Sequence, residues 1–347
     1  MKNKRILLNI LSLILVLGLL FLMDRNFDSY KIRILNLCGI YIVLALSMNL
    51  INGFTGLFTL GHAGFMAIGA YTTALVTMDK ATKEMNFFLK PIVPFLRDVE
   101  MSFLPALLIG GLMSALVAII IGTPVLKLRD DYLAIATLGF SEIIRVIFTN
   151  IQSITNGALG LKGIPNYTNV WWSWGWAIVT IIFMIYLVKG SYGRAFKAIR
   201  EDEIAAEAMG INLFKHKLIS FIIGAFFAGV GGGLLGNLLG TIDPLMFRFV
   251  LTFNIVLIVV LGGIGSITGS VLSAIIVTIL MEALRILDGD IIIGNYKIIG
   301  IPGMRMVVFS LMLMGVILFY QKGIMGTNEF SWDWFSFKKK SKGDVNS

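Results

Sequence analysis

Ten runs of apolar residues, each near the length that crosses a bilayer, recur along the chain. They lie near residues 6–23, 34–51, 54–78, 103–125, 132–149, 172–188, 218–239, 249–263, 267–287 and 304–320. About 20 residues of helix span a hydrocarbon core about 30 Å thick, so this recurrence is the mark of membrane-spanning helices. Composition agrees: 57% of the 347 residues are hydrophobic and only 14% are charged, against about 25% charged in a soluble domain. A soluble enzyme, a secreted domain and a single-pass receptor are excluded. The expected fold is all-α, a polytopic membrane helix bundle of about ten transmembrane helices. The third run is long and interrupted by glycine, and reads either as one span or as a broken, re-entrant helix. The eighth is short and merges into Gly262-Gly263-Ile264-Gly265-Ser266.

Basic residues set the expected orientation. With the N-terminus inside, the inner segments 1–5, 126–131, 189–217 and 321–347 hold 16 Lys and Arg, and the outer segments hold 10. The excess predicts that both termini are cytoplasmic. Trp171, Trp172, Trp174 and Trp176 crowd the outer start of the sixth run, where indole favours the headgroup level. Residues 1–5 followed by 6–23 imitate a signal peptide, but the apolar run is long and lacks a small-x-small cleavage site, which predicts a retained helix. The connections are too short for a soluble domain. The expected organisation is therefore a membrane domain over 1–320, including a cytoplasmic segment at 194–210, and a cytoplasmic tail over 321–347.

The net charge of +9 is explained by these loops, and no concentrated basic face points to nucleic acid. The single cysteine, Cys38, excludes an internal disulfide framework, and two histidines, His62 and His216, do not form a metal spacing. The chain has 37 glycines. Gly229, Gly232, Gly233, Gly236 and Gly240 make overlapping small-x-x-x-small spacings, which allow close helix approach in lipid. Gly231-x-Gly233-x-x-Gly236 matches a dinucleotide fingerprint by pattern, but it sits in a membrane span without a βαβ unit, so packing is the expected use.

No phosphate-binding loop, His-Glu-x-x-His or Gly-x-Ser-x-Gly pattern is present. An energy-coupled transporter built on this chain must take its nucleotide site from another polypeptide. Ionisable groups within spans are costly and invite a functional reading. Glu142 and Arg145 lie three apart, as do Glu282 and Arg285, so each pair can meet on one helix face. Each is expected to be a self-neutralised ion pair, the alternative being a direct role in substrate or proton movement. His62 stands among Gly61, Ala63, Gly64 and Phe65. Either the imidazole is hydrogen-bonded between close-packed helices, or its glycines open a path for a small solute, with Asn49 a further candidate. In the 189–217 loop, residues 194–209 favour helix, and Gly210 is placed to end it with a left-handed cap. Glu201, Asp202, Glu203 and Glu207 keep this helix in water, while Ile199, Ala205, Ala206 and Met209 form a small-residue docking face.

Ala205-Ala206-x-x-x-Gly210 resembles the cytoplasmic loop by which permeases of ABC importers dock into their ATPases. The stretch Ala198 to Asn212 is similar to the version in the M-type permease of branched-chain amino-acid importers. Ala45 to Leu50, Gly61 to Phe65 with Gly69 to Tyr71, Asp131 to Phe140 with Glu142 to Arg145, Thr155 to Gly157 with Gly163 to Pro165, and Leu261 to Ser266 follow in the family's order. One departure is visible: Ile204 stands where a glutamate is expected, with Glu203 one place earlier.

The resemblance implies a machine. Its parts are this chain, a homologous second permease, two ATPases, an external solute-binding protein and the bilayer of a prokaryotic cell membrane. ATP and Mg would sit on the ATPases, with no cofactor in this chain. Coupling would fall to Glu203, Ala205, Ala206, Glu207 and Gly210. The substrate would be leucine, isoleucine or valine; the same machine could serve urea, an amide or another amino acid. An ion-coupled carrier would instead transport without an ATPase and want an unpaired intramembrane carboxylate.

Overall fold

The computed structural model describes the backbone of residues 2–128, 130–288, 291–293, 296–298, 303–319, 323–326, 328 and 329. Most of the tail expected over 321–347, including Lys338 to Lys340, lies outside the described residues. The chain opens with α1 (Lys2–Asn26) and α2 (Ser29–Asn49), followed by α3 (His62–Thr77). Short helices α4 (Lys80–Asn86) and α5 (Pro94–Arg97) lead to α6 (Phe103–Val125) and α7 (Asp130–Asn150). After α8 (Gln152–Thr155) come α9 (Val170–Lys189), α10 (Ser191–Glu201) and α11 (Glu203–Ala208). The chain continues through α12 (Leu213–Leu239), α13 (Phe249–Gly262), α14 (Ile267–Ala283) and α15 (Met304–Phe319). Strand pairing is confined, among the described residues, to β1 (Leu161–Lys162) with β2 (Thr241–Ile242) and β3 (Ile291–Ile293) with β4 (Tyr296–Ile298), both antiparallel.

By length and composition, six helices among the described residues suffice to cross a membrane: Ser29–Phe54, Phe103–Val125, Tyr132–Asn150, Val170–Lys189, Leu213–Leu239 and Ile267–Asp288. The 14 residues of α13 rise only about 21 Å, short of a full core. The third run adopts the broken form. The chain leaves α2 through a π turn, Leu50–Phe54, runs without helix over 55–61, and resumes helix at His62. Irregular backbone at this depth needs buried partners, and side chains supply them. Leu60 N donates to Thr137 Oγ1 (3.0 Å), Thr59 N to Asn52 Oδ1 (3.4 Å), and Ala63 N, in the first turn of α3, to Thr252 Oγ1 (2.9 Å).

The centre of the bundle is α12, packed against α2, α3 and α6. Its glycines are turned into these neighbours: Gly229 meets Gly69 backbone to backbone, Gly231 meets Leu44, Gly232 meets the Met66 carbonyl, and Gly233 meets Thr73 and Leu107. Lipid gives helices little hydrophobic reason to associate, so close van der Waals packing holds them, and a methyl group at these positions would separate the backbones. The fingerprint-like glycines are thus absorbed by packing.

At the end of the bundle away from α10 and α11, the connections form a small cap. β1 and β2 join the segment after α8 to the end of α12, and Asn86 exchanges two bonds of 2.8 Å with Lys162. Lys83 is buried in this cap and donates to the carbonyls of Leu96 (3.0 Å) and Val99. Burial pulls its ammonium pKa below the ordinary lysine value. Trp174 Nε1 donates to Leu35 O at 3.0 Å, and Trp172 stacks edge-on against Phe103. Two of the four tryptophans thus join helices.

Candidate functional site

Two places bring the sequence candidates together: the α10–α11 segment at one end, and the broken third span inside the bundle. The first departs from expectation. Residues 194–209 form two helices, because Asp202 is extended (φ −160°, ψ 114°) and its carboxylate accepts from Ala205 N at 3.0 Å. The aspartate caps a new helix instead of continuing the old one, which aspartate does readily because its side chain competes for backbone donors.

That restart turns the docking face. Ile199 and Ala206 point into the chain, at 2% and 3% exposure, so the four-residue face expected from the sequence does not exist as one surface. Ala205 is exposed, and Ile204 and Met209 stand 82% exposed on the outside of α11. Gly210 does end the helix in the left-handed region, at φ +83°. Ile211 N reaches Ala206 O (3.1 Å) and Gly210 N reaches Glu207 O (2.9 Å), the two bonds of a Schellman ending. The space beyond a Cβ at Gly210 is open, so the demand for glycine is conformational. Glu203 pairs with Lys217, a nearly buried lysine near the start of α12, whereas Glu207 is exposed. The two candidate carboxylates are therefore separated by their surroundings.

Inside the bundle, His62 begins α3 and is buried, with Nε2 2.8 Å from Ser47 Oγ. The Ser47 hydroxyl donates to Leu44 O at 2.8 Å, so its one hydrogen is used and the imidazole Nε2–H is the donor. Gly61 and Gly64 let α3 lie on α7: a Cβ on Gly61 would stand 2.9 Å from Thr137 O, and one on Gly64 3.1 Å from Ser141 Cα. Phe65 meets Phe221 edge-on at 5.4 Å. Gly61, Phe65, Thr137, Ser141 and Phe221 help to line a cavity of about 10 Å³, room for about one water. The buried Ser141 Oγ has no hydrogen-bond partner in the described structure.

Asn49 is buried and bonded within the bundle. Its Oδ1 accepts from Gly265 N (2.8 Å), and its Nδ2 donates to Ser266 O (2.9 Å) and Ser270 Oγ (2.7 Å). One side chain of α2 thus clamps the turn between α13 and α14. The same turn is held from outside by Glu329, whose carboxylate accepts from Ile267 N (2.7 Å) and Thr268 N (3.0 Å). Sequence reasoning missed this cap, because Glu329 lies 61 residues from Thr268 and no spacing rule links them. The intramembrane pairs do meet: Arg145 Nε lies 2.6 Å from Glu142 Oε2, and Arg285 Nη1 lies 2.8 Å from Glu282 Oε1. Glu282 also accepts from Tyr30 at the start of α2, which ties α14 to α2.

Among the described residues, the arrangement offers an end segment fixed to the bundle and a break in a span held by buried hydrogen bonds. Among known proteins, the family described as branched-chain amino acid transport system / permease component matches residues 30–320. The chain is 33% identical over 307 residues to the high-affinity branched-chain amino acid transport system permease protein LivM of Escherichia coli, covering 79% of this chain and 67% of that protein. It is 33% identical over 289 residues to LivM of Salmonella typhimurium, covering 74% and 64%. It is also 26% identical over 308 residues to the permease protein LivH of Escherichia coli, covering 83% and 92%. The chain spans about two thirds of the length of these LivM relatives. No solved structure matches.

Proposed function

Because the chain belongs to the family of branched-chain amino-acid transport permease components, we propose that it is the membrane-spanning subunit of an ATP-driven importer for leucine, isoleucine and valine. It forms the path with a second, homologous permease, as the similarity to both LivM and LivH supports. Two ATPases carrying ATP and Mg drive it, and an external binding protein delivers substrate. The chain crosses a prokaryotic cell membrane about ten times, with both termini and the α10–α11 end in the cytoplasm. Residues 1–320 make the membrane domain and 321–347 the tail.

The observation that carries this reading beyond family membership is the α10–α11 segment. A short helix fixed to the bundle through Ala206 and the Glu203–Lys217 pair presents Ile204, Ala205, Glu207 and Met209 outward. An exposed apolar pair at 82%, Ile204 on the six-residue α11 and Met209 just after it, suits insertion into a groove of another protein. The coupling role therefore falls to Ile204, Ala205, Glu207 and Met209 as contacts, with Ala206 and Gly210 shaping the helix. An ion-coupled carrier is disfavoured, since both intramembrane carboxylates, Glu142 and Glu282, are paired. Co-expression of the chain with its ATPases and second permease, followed by purification through a tag on this chain, tests the reading. Stoichiometric ATPase in the product is expected, and a chain that purifies alone contradicts it.

A further inference from the structure

Arg200, the last residue but one of α10, occupies a socket built from three glycines on two separate segments. Its Nη1 donates to the carbonyl of Gly53, at the end of the π turn, at 3.1 Å. Its stem lies over Gly56, where a Cβ would stand 2.8 Å from Arg200 Cγ and 3.2 Å from its Cα. Its guanidinium faces Gly265, in the α13–α14 turn, where a Cβ would stand 2.6 Å from Nη1. Gly56 and Gly265 have φ of +78° and +85°, so the backbone at both points is shaped as only glycine readily allows. Glu201 Oε1 accepts from Arg200 Nε and Nη2, which balances the charge and leaves Nη1 for Gly53.

These two segments are the ones that hold the interior of the broken span. Gly265 N donates to Asn49, Gly53 lies against the same asparagine, and residues 55–61 run directly into His62. On the other side, Arg200 is two residues from the Asp202 cap of α11, whose outer face is free. A planar guanidinium that is held on both sides transmits displacement better than a flexible ammonium would. We propose that Arg200 is the positioning residue through which movement of α10 and α11 is delivered to the Gly53–Gly61 stretch and the α13–α14 turn. This rests on the importer reading above.

The test is the complete importer, with both permeases, ATPases and binding protein, reconstituted in vesicles carrying Arg200→Ala or Arg200→Lys. Three quantities are read: ATPase retained on the complex, ATP hydrolysed, and labelled leucine taken up. For Arg200→Ala, retention is expected to match the wild type and hydrolysis to stay within about twofold, while uptake falls about tenfold, the scale of residues that carry coupling between sites. Arg200→Lys keeps the charge without the fork, and should assemble normally with uptake per ATP reduced about threefold. Loss of ATPase from the lysine complex, a parallel fall of hydrolysis and uptake in an assembled variant, or an unchanged ratio in the lysine variant overturns the proposal. If the alanine variant does not assemble, the lysine variant alone decides. Absence of ATP-driven leucine uptake in the wild type would instead remove the importer reading, independently of Arg200.

Discussion

Glu203, the first residue of α11, forms an ion pair with Lys217, which lies near the start of α12 and is 7% exposed. The pair fixes the orientation of α11 on the bundle. It also separates the two carboxylates that the sequence left equivalent. Glu203→Gln should loosen α11 at a cost of about 1 kcal/mol, because the glutamate is partly in water and screened. Glu207→Gln should leave the fold unchanged and act only on partner binding. Thermal unfolding of the purified chain in detergent, beside ATPase co-purification for each variant, separates the two effects.

Ala206 faces inward and Ile204 outward, so the informative substitution is on the isoleucine. Ile204→Asp should leave insertion and stability intact and lower ATPase co-purification at least about tenfold, as for an apolar anchor in a groove. Ala206→Arg should destabilise the chain itself, since a long charged group has no room at a buried site. Gly210→Val should fail by another route: the space is open, but a β-branched residue resists φ of +83°. Gly210→Asn should recover much of the function, since asparagine tolerates that region.

Inside the bundle, His62→Gln keeps a donor of similar reach to Ser47 and should retain most uptake. Gly64→Leu drives a side chain against Ser141 and Ile144 and should cost about 1–3 kcal/mol by overpacking. Asn49→Ala leaves the Gly265 N–H without its partner, a loss of about 1–3 kcal/mol for that one unsatisfied group, whereas the Ser266 carbonyl still accepts from Ser270 N and Oγ. Protein yield and unfolding midpoint in detergent give the ranking. A silent Gly64→Leu beside a dead His62→Gln would reverse it.

Sidedness is tested with single cysteines in a Cys38→Ala background. Ile204→Cys should resist an impermeant thiol reagent in intact cells and react after permeabilisation. Met85→Cys, on the opposite end of the bundle and 77% exposed, should react from outside. Labelling of position 204 in intact cells contradicts the proposed orientation.

The apolar helices were legible because apolar length is a local signal. Nine of the runs coincide with a helix to within a few residues, and the glycine-interrupted one is broken at Gly56 and Gly61, while Gly64 and Gly69 lie inside α3. The i, i+3 pairs and the Gly210 ending were legible for the same reason, being set within four residues. What the sequence concealed depends on phase or distance. A cap at Asp202 resets the helical wheel, and moves Ala206 from outside to inside. Asn49 reaches a turn more than 200 residues away, and nothing in its own neighbourhood distinguishes it from a path-lining group. Arg200 reads as one more solvated base until three distant glycines are seen around it.

The central claim is that this chain moves substrate only as part of an ATP-driven assembly. Labelled leucine uptake into sealed vesicles, with and without the ATPases, ATP and binding protein, measures it most directly. The account predicts uptake that needs all three and survives collapse of the proton and sodium gradients. Uptake by this chain alone, abolished when those gradients are collapsed, would contradict it.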